Sequence, residues 1–234
     1  MKERPILMSA PMVRACLDGT KTQTRRVVKR QPANDPAKHH PIAPHRTSLG
    51  GWNWVLAETG HGTGDPFPCP YGQPGGRLRV KEAAWMWCER RPNGTTPTGR
   101  QKWHYVPMRG APVIYAADHP AKPGTSVVSP DTGNAWGWRL KIGRFLPSWA
   151  SRIYLEMTEV RVQRLQDISA ADAVAEGIGL NPSAVDVMTT SDTPEPMAVA
   201  MYRDLWERIN GAGSWAVNPW VWCLSFRRVE PVAP

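Results

Sequence analysis

The most regular alternation of apolar and polar positions runs from Arg152 to Leu165, where Ile153, Leu155 and Met157 interleave with Arg152, Tyr154 and Glu156. A period of two predicts a strand with one buried face. Arg77-Leu78-Arg79-Val80-Lys81-Glu82 alternates in the same way. Trp220 to Val229 predicts a closing strand and Val113 to Ala116 a short one. Helical spacing occurs in three places. Met12, Val13, Cys16 and Leu17 share one face of a short helix that Ser9 can cap, with Pro11 in its first turn and Gly19 as its stop. Ser169-Ala170-Ala171-Asp172 has the form of a capped start, and the helix it opens ends at Glu176-Gly177. From about Pro194 to Ile209 a stripe of Met197, Met201, Leu205, Trp206 and Ile209 predicts a longer helix.

Thr20 to Lys29 holds threonines and valines without a helical stripe and reads as a strand. Two tracts rich in Pro and Gly, at about 30–70 and 90–145, are expected to be long loop insertions. Helices near both ends of a set of short strands predict an α+β protein. The expected architecture is a small β-barrel flanked by short helices, forming a single domain over 1–234.

Charge sharpens this picture. The net charge is +9, and residues 1–50 carry ten Lys/Arg against three acids, so +7 lies there and +2 in the remaining 184 residues. Such a balance suits a polyanionic partner. The twelve tryptophans are expected mainly in cores, with a few able to stack on bases. Cys16, Cys69, Cys88 and Cys223 are scattered without a CxxC pair, which predicts free thiols in a reducing cytoplasm. No leader pattern is visible, and no apolar stretch approaches the ~20 residues that span a bilayer. His39, His40, His45, His61 and Cys69 lack metal-ligand spacing, so neither metal nor cofactor is expected. The P-loop, GxSxG and HExxH patterns are absent. Glu82 and Glu89 are general-acid candidates only if they share a pocket.

The densest chemistry lies in Gly19-Thr20-Lys21-Thr22-Gln23-Thr24-Arg25-Arg26. On a strand starting near Lys21, Thr22, Thr24 and Arg26 face one side and Gln23 and Arg25 the other. Two hydroxyls and a guanidinium on one face suit phosphate oxygens or base edges. Lys21 is nominally opposite, but after the Gly19 turn it can swing inward. A solvated basic edge strand is the competing explanation.

Leu17 to Arg26 resembles the signature of the ASCH family, relatives of the PUA RNA-binding domains: a short helix, a Gly, a Lys-Thr pair, then Thr-x-Arg entering the first strand. Pro74 to Val80, Leu165 to Gly177 and Asn218 to Phe226 resemble three further family segments in the same order. Gly76 stands where the family usually has Asp. Trp149 to Ile153 and Asn210 to Trp215 are similar to the branch encoded by bacteriophages and prophages. The resemblance does not cover the tracts at about 30–70 and 90–145. It implies a PUA-like barrel that binds nucleic acid, RNA before DNA, or a modified nucleoside, in a bacterial host's cytoplasm. The ligand-contact candidates are Lys21, Thr22, Thr24, Arg25, Arg26 and Arg152.

The family also includes enzymes that hydrolyse acetylated cytidine with a Lys, a Thr and a Glu. Carried over by motif, these roles fall on Lys21, Thr24 and Glu176. Thr24 would attack the amide carbonyl, a neutral Lys21 would take its proton, and Glu176 would orient the amine. An amidohydrolase, or a nuclease, is therefore the first alternative to a binding protein. A phage assembly protein is the second, disfavoured because coiled-coil, repeat and extended-arm patterns are lacking.

Overall fold

A computed structural model describes residues 3–32, 42–48, 50–56, 59–62, 65–124, 126–129, 135–178 and 197–231. Twelve strands and three α-helices are found among them. In chain order they are β1 (Glu3–Leu7), α1 (Ala10–Leu17), β2 (Gln23–Val27), β3 (Ile42–Arg46), β4 (Trp52–Leu56), β5 (Arg77–Lys81), β6 (Ala84–Thr95) and β7 (Gln101–Pro107). There follow β8 (Val113–Tyr115), β9 (Val127–Val128), β10 (Ala135–Lys141), β11 (Tyr154–Arg164), α2 (Ala170–Ala175), α3 (Met197–Asn210) and β12 (Trp220–Val229). The protein is α+β and mostly sheet. No helix among the described residues is long and apolar enough to cross a membrane.

Five strands form a sheet in the order β1-β5-β11-β12-β2, and it does not close into the expected barrel. The backbone leading into β2 is engaged on both sides. Thr22 gives its carbonyl to the Phe226 N–H on one side, while its own N–H donates to the Ala175 carbonyl on the other. Lys21 forms an isolated bridge with Glu176. The end of α2 thus borders Lys21 and Thr22, just before β2.

The chain folds as two compact units. The first holds Met1–Arg4, Ala15–Leu78 and Leu155–Glu230; the second holds Pro5–Arg14, Arg79–Tyr154 and Pro231–Pro234.

In the first unit, the tract expected as a loop at about 30–70 contains a hairpin, with Arg46 opposite Trp52. Its aromatic residues explain the pairing. Trp54 lies 5.2 Å from Phe67 and 5.4 Å from Trp220, and Trp52 meets Trp222 edge-on at 5.9 Å. Offset and edge contacts of this kind add to the burial of large apolar area. A second apolar cluster joins Leu165, Ile168, Ala173, Val199, Tyr202, Trp206, Val221 and Cys223. It corrects the expected stripe of α3. Met197, Met201 and Ile209 are exposed, and the buried face is Ala198, Val199, Tyr202 and Trp206. Small Ala198 and Val199 let the helix approach closely, so the wider methionines turn outward.

In the second unit, the tract expected as a loop at about 90–145 carries several strands. A sheet in the order β7-β6-β10-β9, with β8 also on β6, covers much of it. Ala84, Met86 and Cys88 alternate inward to pack with Leu146 and Ala150. The short strand expected at Val113 is β8.

Candidate functional site

Two glycine turns bring the principal candidates together. Gly19 follows α1 with φ +77°, and the Lys21 N–H then donates to the Ala15 carbonyl at 3.0 Å. Ser169 accepts from the Asp172 N–H at 3.1 Å and starts α2. Gly177 ends this segment with φ +85°, where a Cβ would stand 3.0 Å from both the Ala15 and Lys21 Cβ atoms. Only a residue without a Cβ permits both that backbone conformation and that approach. Glu176 therefore needs no fold-back to reach Lys21, because the two backbones already pair.

Lys21 Nζ donates to Glu176 Oε2 at 2.7 Å and to the Glu176 carbonyl at 2.6 Å. Their side chains are 2% and 5% exposed. Arg25, whose side chain is wholly buried, pairs with Asp172 at 2.7 Å and lies 3.6 Å from Glu176 Oε1. Gln23 accepts from Arg25 and donates to Asp172 at 3.1 Å. Tyr202 donates to Glu176 Oε1 at 3.5 Å, and Arg161 reaches Asp172 at 3.4 Å. Lys21, Gln23 and Arg25 thus share the face turned toward the α2 carboxylates. Buried charge is tolerable here because cations and carboxylates match two for two and hydrogen bonds link them.

The electrostatics follow from that burial. Burial opposes the charge on Arg25, but Cys223, Glu176, Tyr202 and Asp172 more than offset it and raise its pKa. Burial raises the Asp172 carboxyl, yet the Arg25 guanidinium and the Gln23 amide outweigh it and hold the group below its usual range. The Tyr202 phenol is pushed well above its ordinary value by burial first and by Glu176 second. Burial lifts the Cys223 thiol, opposite Arg25 in the sheet, to about 12. At neutral pH both the phenol and the thiol are therefore protonated.

The remaining candidates are distributed differently. Thr24 is buried, but strand alternation sets it on the opposite face of β2 from Gln23 and Arg25. Lys21 and Glu176 meet; Thr24 does not join them on that face. Thr22 is exposed and Arg26 half-buried, with Arg26 opposite Trp222. The face expected to hold ligand is therefore the reverse of the one carrying the ionic network.

Arg152 lies in the second unit. Its guanidinium binds Glu82 at 2.9 and 3.1 Å and Asp118 at 2.6 and 3.2 Å, and it stacks 3.9 Å over Tyr115. These contacts use its Nε and both terminal nitrogens, so its guanidinium clamps two acids. Glu82 is its buried partner, whereas Glu89 pairs with Arg91 at 2.7 Å. His39 and His40 lie outside the described residues. Among the described residues, no three His, Cys, Asp or Glu side chains gather where they could hold a metal ion.

Gly76, the departure from the ASCH pattern, has a steric reason. A Cβ there would sit 2.8 Å from the Gln73 carbonyl oxygen and 3.0 Å from Met157 Cε. Gln23, Arg161, Asp172 and Tyr202 are network members outside the expected candidates. Asp172 was findable, since it precedes Glu176 by four residues and places a second carboxylate on one helical face. Tyr202 had no local signal beyond helical periodicity. No protein-family model, curated protein or solved structure matches the chain.

Proposed function

We propose that the protein binds nucleic acid, or a modified nucleoside, as an ASCH-type member of the PUA-like superfamily encoded by a phage or prophage and working in the host cytoplasm. The observation that carries this reading is the Lys21–Glu176 contact at 2.7 Å. Those residues are 155 positions apart, and each stands in a separate ASCH-like motif. A buried ionic network is costly compared with apolar packing of the same volume, so its retention calls for a reason. The net charge of +9 supports a polyanionic partner. Lys29 and Arg30 are exposed just beyond β2, which supports contact with phosphates.

Fluorescence anisotropy with labelled RNA and DNA oligonucleotides, over a range of salt, tests the reading. Binding is expected to weaken as salt rises, and Lys29→Ala with Arg30→Ala should reduce both affinity and salt slope. Absence of binding to every oligonucleotide, together with no calorimetric heat from acetylcytidine, would remove the proposal.

The same contact favours a second reading, hydrolysis of an N4-acylated cytidine. The Lys21 ammonium can stabilise the oxyanion, and Glu176 can take a proton from the attacking water and return it to the N4 amine as the C–N bond breaks, releasing acetate and cytidine. With Thr24 on the other face, water is the nucleophile that this arrangement suits. Chromatographic detection of acetate release from acetylcytidine, lost in Glu176→Gln, is the expected result. No release between about pH 5 and pH 9, the range over which a side-chain acid or base would operate, excludes that substrate.

A further inference from the structure

In the second unit, β6 outruns its neighbour β10. Their pairing extends from Lys141 opposite Ala84 to Trp136 opposite Glu89. Past Glu89 the partner of β6 among the described residues is β7 alone, with Arg90 opposite Tyr105 and Thr95 opposite Gln101. The result is a two-stranded ribbon. From Arg91 to His104 its residues are exposed, apart from half-buried Thr96 at the turn.

An unsupported two-stranded ribbon is marginal in water, so its retention calls for a reason. Local features stiffen it. The Thr96 N–H donates to the Arg100 carbonyl at 2.8 Å, and the Gly99 N–H to the Thr96 carbonyl at 2.9 Å. An irregularity in the pairing between Pro92 and Thr95 forms a bulge, where Gly94 adopts φ +71°. Bulges increase the right-handed twist of a ribbon.

Its charge is one-sided. Glu89 to Arg109 carries Arg90, Arg91, Arg100, Lys102 and Arg109 against Glu89, a net +4, whereas residues 51–234 together sum to only +2. Trp103 is 48% exposed, and the Arg90 guanidinium lies 4.0 Å over its ring. Nearby, Arg139 stacks 3.8 Å over Tyr105. Such stacking orients guanidinium groups before any partner arrives.

We infer that the β6–β7 ribbon is an arm that enters the major groove of double-stranded DNA. The B-form groove, about 12 Å wide and about 8.5 Å deep, admits a two-stranded ribbon. The A-form RNA major groove is too narrow for protein side chains to read. Arg90 to Thr95, at ~3.3 Å per residue, extend about 20 Å, more than the groove depth. The exposed cations then meet phosphates on the groove walls. The inference rests on the nucleic-acid reading above, adds a surface, and moves the polymer from RNA to duplex DNA.

Anisotropy with a labelled DNA duplex, the matching RNA duplex and single-stranded RNA tests it on the full chain. Wild type is compared with Arg100→Ala/Lys102→Ala and with the charge-preserving Arg100→Lys/Lys102→Arg. The DNA duplex should bind at least about tenfold tighter than either RNA, as a groove fit predicts. The alanine variant should lose affinity, and its salt slope should fall by about 1.8, roughly 0.9 for each phosphate contact removed. The charge-preserving variant should keep the slope. Unchanged binding by the alanine variant overturns the ribbon assignment, and equal loss in both variants shows a structural effect instead. Equal or tighter RNA binding overturns the groove argument. Failure of wild type to bind any of the three removes the nucleic-acid reading itself.

Discussion

Replacing Glu176 by Gln keeps the side-chain volume and one oxygen acceptor while removing a single buried charge. Lys21 and Glu176 meet at 2.7 Å with 2% and 5% of their side chains exposed, so water screens the pair weakly. At that separation an effective dielectric of about 20 gives an attraction of about 6 kcal/mol, part of which the desolvation of both groups cancels. Removing the carboxylate leaves Lys21 and Arg25 buried, with Asp172 paired to Arg25 at 2.7 Å. Breaking such a pair costs about 3–5 kcal/mol, and the retained acceptor sets the expectation at the lower end, about 3 kcal/mol. Lys21→Met with Glu176→Gln removes the orphaned charge and should recover about 2 kcal/mol of that loss. Urea unfolding followed by tryptophan fluorescence measures both, read as a change of midpoint at constant slope. If Glu176→Gln costs less than about 1 kcal/mol and the two substitutions simply add, Lys21 and Glu176 are not a coupled buried pair, and the site built on them falls.

Two further outcomes follow from the same surroundings. Gly177→Ala meets an unfavourable φ and two Cβ atoms at 3.0 Å, whereas Gly19→Ala has a similar φ and open space. Urea midpoints should rank Gly177→Ala as the worse by at least about 1 kcal/mol, and a reversed ranking would show that the α1–α2 approach is looser than described. Asp172 has a folded pKa below its unfolded value, so its stabilisation is present above the unfolded pKa and lost as pH falls through the folded one. Wild type should therefore lose thermal stability below about pH 4, while Asp172→Asn is less stable near neutrality and has a flatter acid limb. Parallel acid limbs in a calorimetric pH series would refute that assignment.

Strands were legible where apolar residues alternate with polar ones, as before Leu165, or run together, as from Trp220 to Leu224. Trp220–Val229 matches β12, and the Arg152–Leu165 alternation contains β11. The β6–β7 ribbon was not legible, because a ribbon exposed on both faces has no apolar side to alternate. Its Pro92, Gly94, Pro97 and Gly99 then read as loop. The hairpin at β3–β4 was hidden for a related reason: its stability comes from Trp52 and Trp54 meeting Phe67, Trp220 and Trp222, contacts that no local window contains. For the site, alternation along β2 divides the side chains into two sets but does not say which set faces inward. Two hydroxyls and a guanidinium argued for Thr22, Thr24 and Arg26 as the working face, with Arg25 behind it. The α2 carboxylates reverse that argument, because they supply the partners that make an inward guanidinium tolerable.

This reversal changes where a polyanion can be held. The +7 of residues 1–50 includes Lys21 and Arg25, whose charges are balanced internally by Glu176 and Asp172. Arg14 is also engaged, donating to the Ala117 carbonyl, as is Arg4, donating to the Pro70 carbonyl. Part of the charge that made the N-terminal run conspicuous therefore serves folding, and formal net charge overstates its pull on phosphate. The ribbon differs in this respect. Its only acid is Glu89, paired with Arg91, while Arg100, Lys102 and Arg109 stand exposed. Counterion release depends on cations that can reach phosphates, so the salt slope should respond more to the ribbon than to Lys21 or Arg25. The two readings can be separated on that basis: altering the Lys21–Glu176 network should change stability or turnover, and altering the ribbon should change the number of ions released.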